Sequence, residues 1–324
     1  MEYTHLGRSG LSVSRLCLGT MNFGPKTEEA DAHAIMDSAR DAGINFLDTA
    51  NVYGWGKNKG WTEQIIGRWF AKGGGRREGT VLGTKLYGSM SERPNDTFLS
   101  ALNIRRALDA SLQRLQTDYI DLYQFHHIDR NTPWDEIWQA MEVAVAQGKV
   151  IYNGSSNFAG WHIAQAQENA RRRNFMGLVS EQSIYNLINR SVELEVLPAA
   201  QQYGLGILPW SPLQGGLLGG ILQKEADGGG RRAEGKVRDL LAKHEDQIRQ
   251  YEELGAELEI LPGVLALAWL LHQPAVTAPL VGPRTQEQLD EALLALDVAL
   301  DSGTLDRLDE IFPGHSPAPE DYAW

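Results

Sequence analysis

The stretch YIDLYQFHHIDRNTPWDEIWQAMEVAVAQGKVIYNG, Tyr119 to Gly154, decides the fold. It opens on a β-branched and aromatic run, YIDLYQF. WDEIWQAMEVAVAQG (Trp134 to Gly148) then sets apolar residues three and four apart and stops at a glycine, and VIYNG, from Val150, returns to strand character. A strand, a helix and a strand with no hairpin turn between them form a parallel crossover unit. The unit recurs in both directions along the chain. Strand-like runs start at RLCLG (Arg15), INFLD (Ile44), TVLGTK (Thr80), GLVSEQ (Gly177), GILPW (Gly206) and AVTAPLVG (Ala275), with amphipathic segments such as Glu28 to Gly43 and Phe98 to Gln116 between them. Together these make eight strands, the number that closes a parallel sheet into a (β/α)8 TIM barrel.

Strand-to-strand spacing is roughly 30 to 40 residues, except for about 70 before the last strand. That surplus contains the Gly-rich charged segment KEADGGGRRAEGKVRD (Lys224 to Asp239) and reads as a long loop insertion with one or two helices, not as a second domain. The segment is either a working loop on one barrel face or a surface loop with no role. Residues 1–324 are therefore expected to form a single barrel domain. The leading YTHLGRSGLSVSRL predicts a hairpin that plugs the barrel bottom, and the tail after Phe312 reads as irregular.

Composition is that of an ordinary folded protein, 42% hydrophobic and 22% charged, which argues against disordered and fibrous classes. The net charge of -12 disfavours broad nucleic-acid or anionic-membrane surfaces, although it hides any local phosphate pocket. The single cysteine, Cys17, excludes an intrachain disulfide and fits a reducing compartment. The first residues lack a secretory pattern and the apolar run Leu261 to Leu271 is too short to span a bilayer, so a soluble, cytoplasmic protein is expected. No metal-ligand spacing is present in the sequence.

In such a barrel, catalytic groups project from the C-terminal strand ends. Asp48, Lys85, His126, Ser156 with Asn157, Gln182, Trp210 with Ser211, and Gly282 with Arg284 all stand at or just past such ends. A Lys and an Asp in one barrel mouth are expected to pair, because an unpaired buried charge is costly. Tyr53 reaches the same mouth from the loop after Asp48. A nearby ammonium is expected to lower its phenol toward the working range, giving a proton donor for a developing alkoxide.

INFLDTANVYGWG (Ile44 to Gly56), the Lys of GTKLYG (Gly83 to Gly88) and DYIDLYQFHHID (Asp118 to Asp129) resemble the three catalytic signatures of the aldo-keto reductases. The similarity continues through VIYNGSSNF, LVSEQSIYNLINR, GILPWSPLQGGLLGG and PLVGPRTQEQLDEA, covering the chain up to its tail. The resemblance implies a carbonyl reductase in which Tyr53 is the general acid, Lys85 tunes it, Asp48 holds Lys85, and His126, not His127, orients the carbonyl. It implies NADPH/NADP as cofactor. Ser156, Asn157 and Gln182 would take the carboxamide and Trp210 the nicotinamide face. Ser211, Leu213 and Gly215 would follow the pyrophosphate, with Gly282, Arg284, Thr285, Gln288 and Glu291 around the adenosine end. Arg284 is expected to favour the 2′-phosphate. Ala292 departs from the family pattern, which has an Asn at this position.

No Rossmann fingerprint is present: GWGKNKG (Gly54 to Gly60) has the wrong spacing and reads as a substrate-side loop, with Trp55 as its substrate contact. Lys57 and Lys59 either face an anionic substrate or are solvated. YQFHHIDR, PWDEIWQAME and GWHIAQAQENARRRN look most like reductases of nucleotide-linked keto-deoxysugars, the 2,3-reductases of bacterial pathways. A general aldehyde or sugar reductase is the broader reading. The alternative from another class is a cofactor-binding regulatory module like a potassium-channel β subunit.

Overall fold

The computed structural model describes residues 1–226 and 236–323. The chain begins with an antiparallel hairpin, β1 (Tyr3–His5) and β2 (Ser12–Ser14). Among the described residues, eight parallel strands follow: β3 (Cys17–Gly19), β4 (Phe46–Asp48), β5 (Val81–Leu86), β6 (Ile120–Phe125), β7 (Val150–Ser156), β8 (Leu178–Gln182), β9 (Gly206–Ile207) and β10 (Leu280–Val281). They pair in chain order, and β10 pairs with β3. Backbone bonds from Thr277 N–H to Ile207 O (2.9 Å) and from Leu280 N–H to Pro209 O (2.8 Å) join the two ends, closing the (β/α)8 TIM barrel.

Helices α1 (Glu29–Asp41), α2 (Trp61–Phe70), α3 (Ala101–Leu115), α4 (Trp134–Ala146), α5 (Gly160–Arg172) and α6 (Val192–Tyr203) alternate with the strands. The long interval before β10 is helical more than looped, holding α7 (Ile221–Ala226), α8 (Lys236–Glu257) and the almost wholly buried α9 (Pro262–His272). The Gly-rich centre of that interval, 227–235, lies outside the described residues. After β10 come α10 (Gln286–Leu293), α11 (Ser302–Ile311) and, in the tail expected to be irregular, the short α12 (Glu320–Ala323). Among the described residues no single helix is long and apolar enough to cross a membrane.

Two apolar layers result. Outer faces of the strands pack with the helices, while Cys17, Phe46, Leu122, Val179, Leu208, Ala278 and Leu280 meet inside the barrel. Leu6 and Val13 of the hairpin join this inner cluster, so the hairpin stoppers the N-terminal end as expected. Its turn lies so close to the strands that a Cβ on Gly7 (φ +56°) would fall 2.5 Å from Val179 O. The inner cluster fills the lower barrel, so the strand residues beyond it open onto the C-terminal mouth.

Candidate active site

Side chains alternate along a strand, so a position two residues beyond an inner-core side chain faces the mouth. Asp48 follows Phe46 in this way, and Gln124 and His126 follow Leu122. At β8 the alternation breaks: Asn153 pairs with Leu178 but Gly154 with Ser180, an irregularity that leaves Val179 extra. This bulge brings Gln182 to the mouth, where counting by twos from Val179 selects Glu181.

The structure brings the expected quartet together. Lys85, 0% exposed, donates from Nζ to Asp48 Oδ2 at 2.5 Å, to Thr49 O at 2.9 Å and to Tyr53 OH at 3.4 Å. The His126 and Tyr53 rings stand edge to face, centroids 6.0 Å apart. Burial opposes the Lys85 charge, but Asp48 and Tyr53 outweigh it and hold the ammonium above the ordinary lysine pKa. Burial, with lesser contributions from Lys85 and His127, pushes the His126 imidazole down to about 3, so it is neutral at physiological pH. His127 points elsewhere, its ring beside Tyr87 and its Nδ1 3.0 Å from Ile128 O.

One expectation is corrected. Burial pushes the Tyr53 phenol above its ordinary value; Lys85 pulls it back without overcoming burial, and Asp48 adds to the rise. The ammonium is nearer to Asp48 than to the phenol, and the carboxylate's opposing field offsets much of its effect on Tyr53.

Sequence reading missed two supports of this centre, Gln124 and Thr20. Gln124, 0% exposed, and Gln182 each donate to Asp48 Oδ1 at 2.9 Å, and Gln182 also donates to Gln124 Oε1 at 3.2 Å. Thr20, just past β3, donates from Oγ1 to Asp48 O at 2.9 Å. The signal for Gln124 was present: it lies two residues before His126.

The residues expected to hold the cofactor lie at or past the C-terminal ends of β7 to β10, four strands that are consecutive round the barrel, opposite the β4 to β6 sector that carries the quartet. Ser156 is buried at the end of β7. Asn157, at φ +60°, donates to His126 O (3.0 Å) and Ser156 Oγ (2.9 Å) and accepts from Trp210 Nε1 (3.0 Å), lacing three strand ends together. Ser211 Oγ accepts from Gly215 N–H at 3.2 Å, and the loop is pinned by buried Asn186, which donates to Ser211 O at 2.9 Å. Leu213 is half-buried here, while Glu291 lies against Gly263 of α9. Gly282 O accepts from Asn22 at 2.8 Å. Thr285 caps α10, and Gln288 Oε1 accepts from Arg284 N–H at 2.8 Å. Among the described residues no carboxylate pairs with the Arg284 side chain. A guanidinium with no carboxylate partner among the described residues, at the start of α10, and the exposed glycines Gly215 and Gly216 supply donors on this side of the mouth. That chemistry fits a dinucleotide diphosphate.

The loop after Tyr53, expected to face the substrate, turns on Gly54, at φ +109°, where a Cβ would fall 1.9 Å from Asn58 O. It presents Trp55, 50% exposed, with its ring centroid 5.7 Å from that of Tyr53. Lys59 donates to Ser89 O at 2.5 Å, whereas Lys57 lies exposed.

The aldo/keto reductase family model matches residues 15–312. An uncharacterized oxidoreductase of Bacillus subtilis, YrpG, is 57% identical, with 100% of each chain covered. A protein of Oryza sativa subsp. japonica described as a probable voltage-gated potassium channel subunit beta is 35% identical over 99% of this chain and 100% of its own. The versiconal hemiacetal acetate reductase of Aspergillus parasiticus is 32% identical over 96% of each. A match of this length, in a barrel whose mouth carries these residues, gives the assignment: the chain belongs to the aldo/keto reductase family, is an oxidoreductase, and shares that family's general chemistry of carbonyl reduction with a nicotinamide cofactor.

Proposed function

We propose that the protein is an NADPH-dependent reductase that converts an aldehyde or ketone to an alcohol, with Tyr53 as general acid. The carrying observation is that one buried Lys85 Nζ touches both Asp48 (2.5 Å) and Tyr53 OH (3.4 Å) at the barrel mouth. When bound, the reduced nicotinamide supplies the hydride. Tyr53, a protonated phenol at neutral pH, gives its proton to the carbonyl oxygen as negative charge develops there, and Lys85 stabilises the phenolate left behind. His126 is neutral, so it hydrogen-bonds and orients the carbonyl and is not the acid. Tyr53→Phe is expected to keep NADPH binding and lose about 10²- to 10⁴-fold in turnover. An unchanged rate would refute the mechanism.

Arg284 is the residue that selects NADPH over NADH in this reading, through a charge-assisted contact with the 2′-phosphate. Titration of nicotinamide fluorescence should show Arg284→Ala weakening NADPH by roughly tenfold and leaving NADH unchanged. Equal affinity of the native protein for both cofactors would remove that role.

For the substrate we favour a nucleotide-linked keto-deoxysugar, supported by the quoted sequence likenesses and by Trp55, an exposed aromatic platform beside the acid. A turnover screen against simple aldehydes decides, because activity only on the latter excludes the sugar. The likeness to proteins described as potassium channel subunits supports a second reading, a cofactor-binding regulatory module. Tight NADPH binding with no carbonyl turnover would favour it. We place the activity in the cytoplasm, which the lone cysteine supports.

A further inference from the structure

The bulge that turns Gln182 into the mouth leaves the neighbouring Glu181 with its carboxyl wholly buried behind the site. That carboxyl accepts from Ser155 Oγ, from Ser183 Oγ at 2.6 Å and from the Phe158 backbone N–H at 3.0 Å. Phe158 is itself buried, its ring 6.1 Å from that of Trp134. Asn157 lies directly between Ser156 and Phe158, in the left-handed conformation that asparagine adopts more readily than other non-glycine residues. Glu181 thus grips the strand just before, and the amide just after, the two residues read as carboxamide contacts.

We propose that Glu181 is a positioning residue for cofactor binding, fixing the Ser156–Asn157 turn so that these side chains and the Trp210 indole are aligned for the nicotinamide. The inference rests on the NADPH reading above. Burial raises the carboxyl to about 7, with Ser155, Ser183 and the Phe158 and Asn157 amides pulling it back down; all four are uncharged donors. The serine hydroxyls can rotate to accept a proton, whereas the Phe158 N–H cannot turn. Glutamine should therefore replace glutamate at this position: its oxygen serves the amide, and its NH₂ donates to a reoriented serine.

The test compares Glu181→Met, which keeps volume without the acceptors, with Glu181→Gln. It reads the NADPH Kd by fluorescence, kcat, and amide hydrogen exchange of residues 155–158 without cofactor. The Met variant is expected to weaken NADPH roughly tenfold, to change kcat by less than about threefold, and to exchange faster at Phe158. The Gln variant should restore both affinity and protection. Should the Met variant not fold, Glu181→Asp, which withdraws the carboxylate by one methylene, should weaken NADPH by at least about threefold. Native affinity in the folded Met or Asp variant, or failure of Gln to rescue, overturns the proposal while leaving the cofactor reading intact. Native protein that binds no nicotinamide overturns both.

Discussion

At the scale of single residues, the centre is a problem of two charges, a neutral imidazole and a phenol in one dry place. Asp48 is gripped by Lys85, Gln124 and Gln182, so its attraction for the ammonium is shared with two neutral donors. Because burial holds Tyr53 above its ordinary value, the acid stays protonated throughout the physiological range. His126, pushed down to about 3, undergoes no change of charge there either. The pH profile follows in sign: carbonyl reduction needs the protonated phenol, so kcat/KM should stay flat from about pH 5 to 9 and fall only above the ordinary tyrosine range. The reverse oxidation needs the phenolate and should rise with pH. A break in the reduction profile near 6.5 would instead give His126 a titrating role. Asp48 and Lys85 were legible as a pair because each ends a strand-like run. Their effect on Tyr53 was not, since the balance between burial and two opposed charges depends on distances of a few ångströms.

At the scale of elements, one glycine sets the shape of the loop proposed to meet the substrate. Gly54 has a positive φ and the Asn58 carbonyl where a side chain would begin. Gly54→Ala should displace the Trp55 turn, raising KM for the carbonyl substrate several-fold and lowering the melting temperature by a few degrees, with NADPH affinity nearly unchanged. Steady-state kinetics with a calorimetric scan checks this, and a large fall in melting temperature would show that the turn is structural. The strands and the helices from Glu28, Phe98 and Trp134 were legible because period and termini agree: Ser100 caps α3 by accepting from Asn103 N–H at 3.3 Å, and Gly148 follows α4 at φ +70°. The bulge in β8 left no such mark, because one extra residue in a five-residue buried strand changes no hydrophobic pattern.

At the scale of the molecule, the barrel is closed below and open above, and the hairpin makes that asymmetry. Leu6 is fully buried among inner side chains, and Leu6→Ala should cost about 2–5 kcal/mol, measured by denaturant unfolding. Because it leaves the mouth untouched, kcat under native conditions should be unchanged; an altered kcat would mean that the plug communicates with the site. The net charge of -12, which argues against broad anionic partners, says nothing about the β7 to β10 sector, where the proposed phosphate contacts of Arg284 would lie. The order of strands, the barrel they close into and the residues at their C-terminal ends were determined by the sequence itself, because alternation and helical period are local properties that each segment carries alone. That a bulge is what turns Gln182 to the mouth and Glu181 behind it, how Asn157 laces three strand ends, and whether the ammonium or burial governs Tyr53 were decided only by the tertiary structure. Each depends on register and distance between segments far apart in the chain, and local patterning carries no record of either.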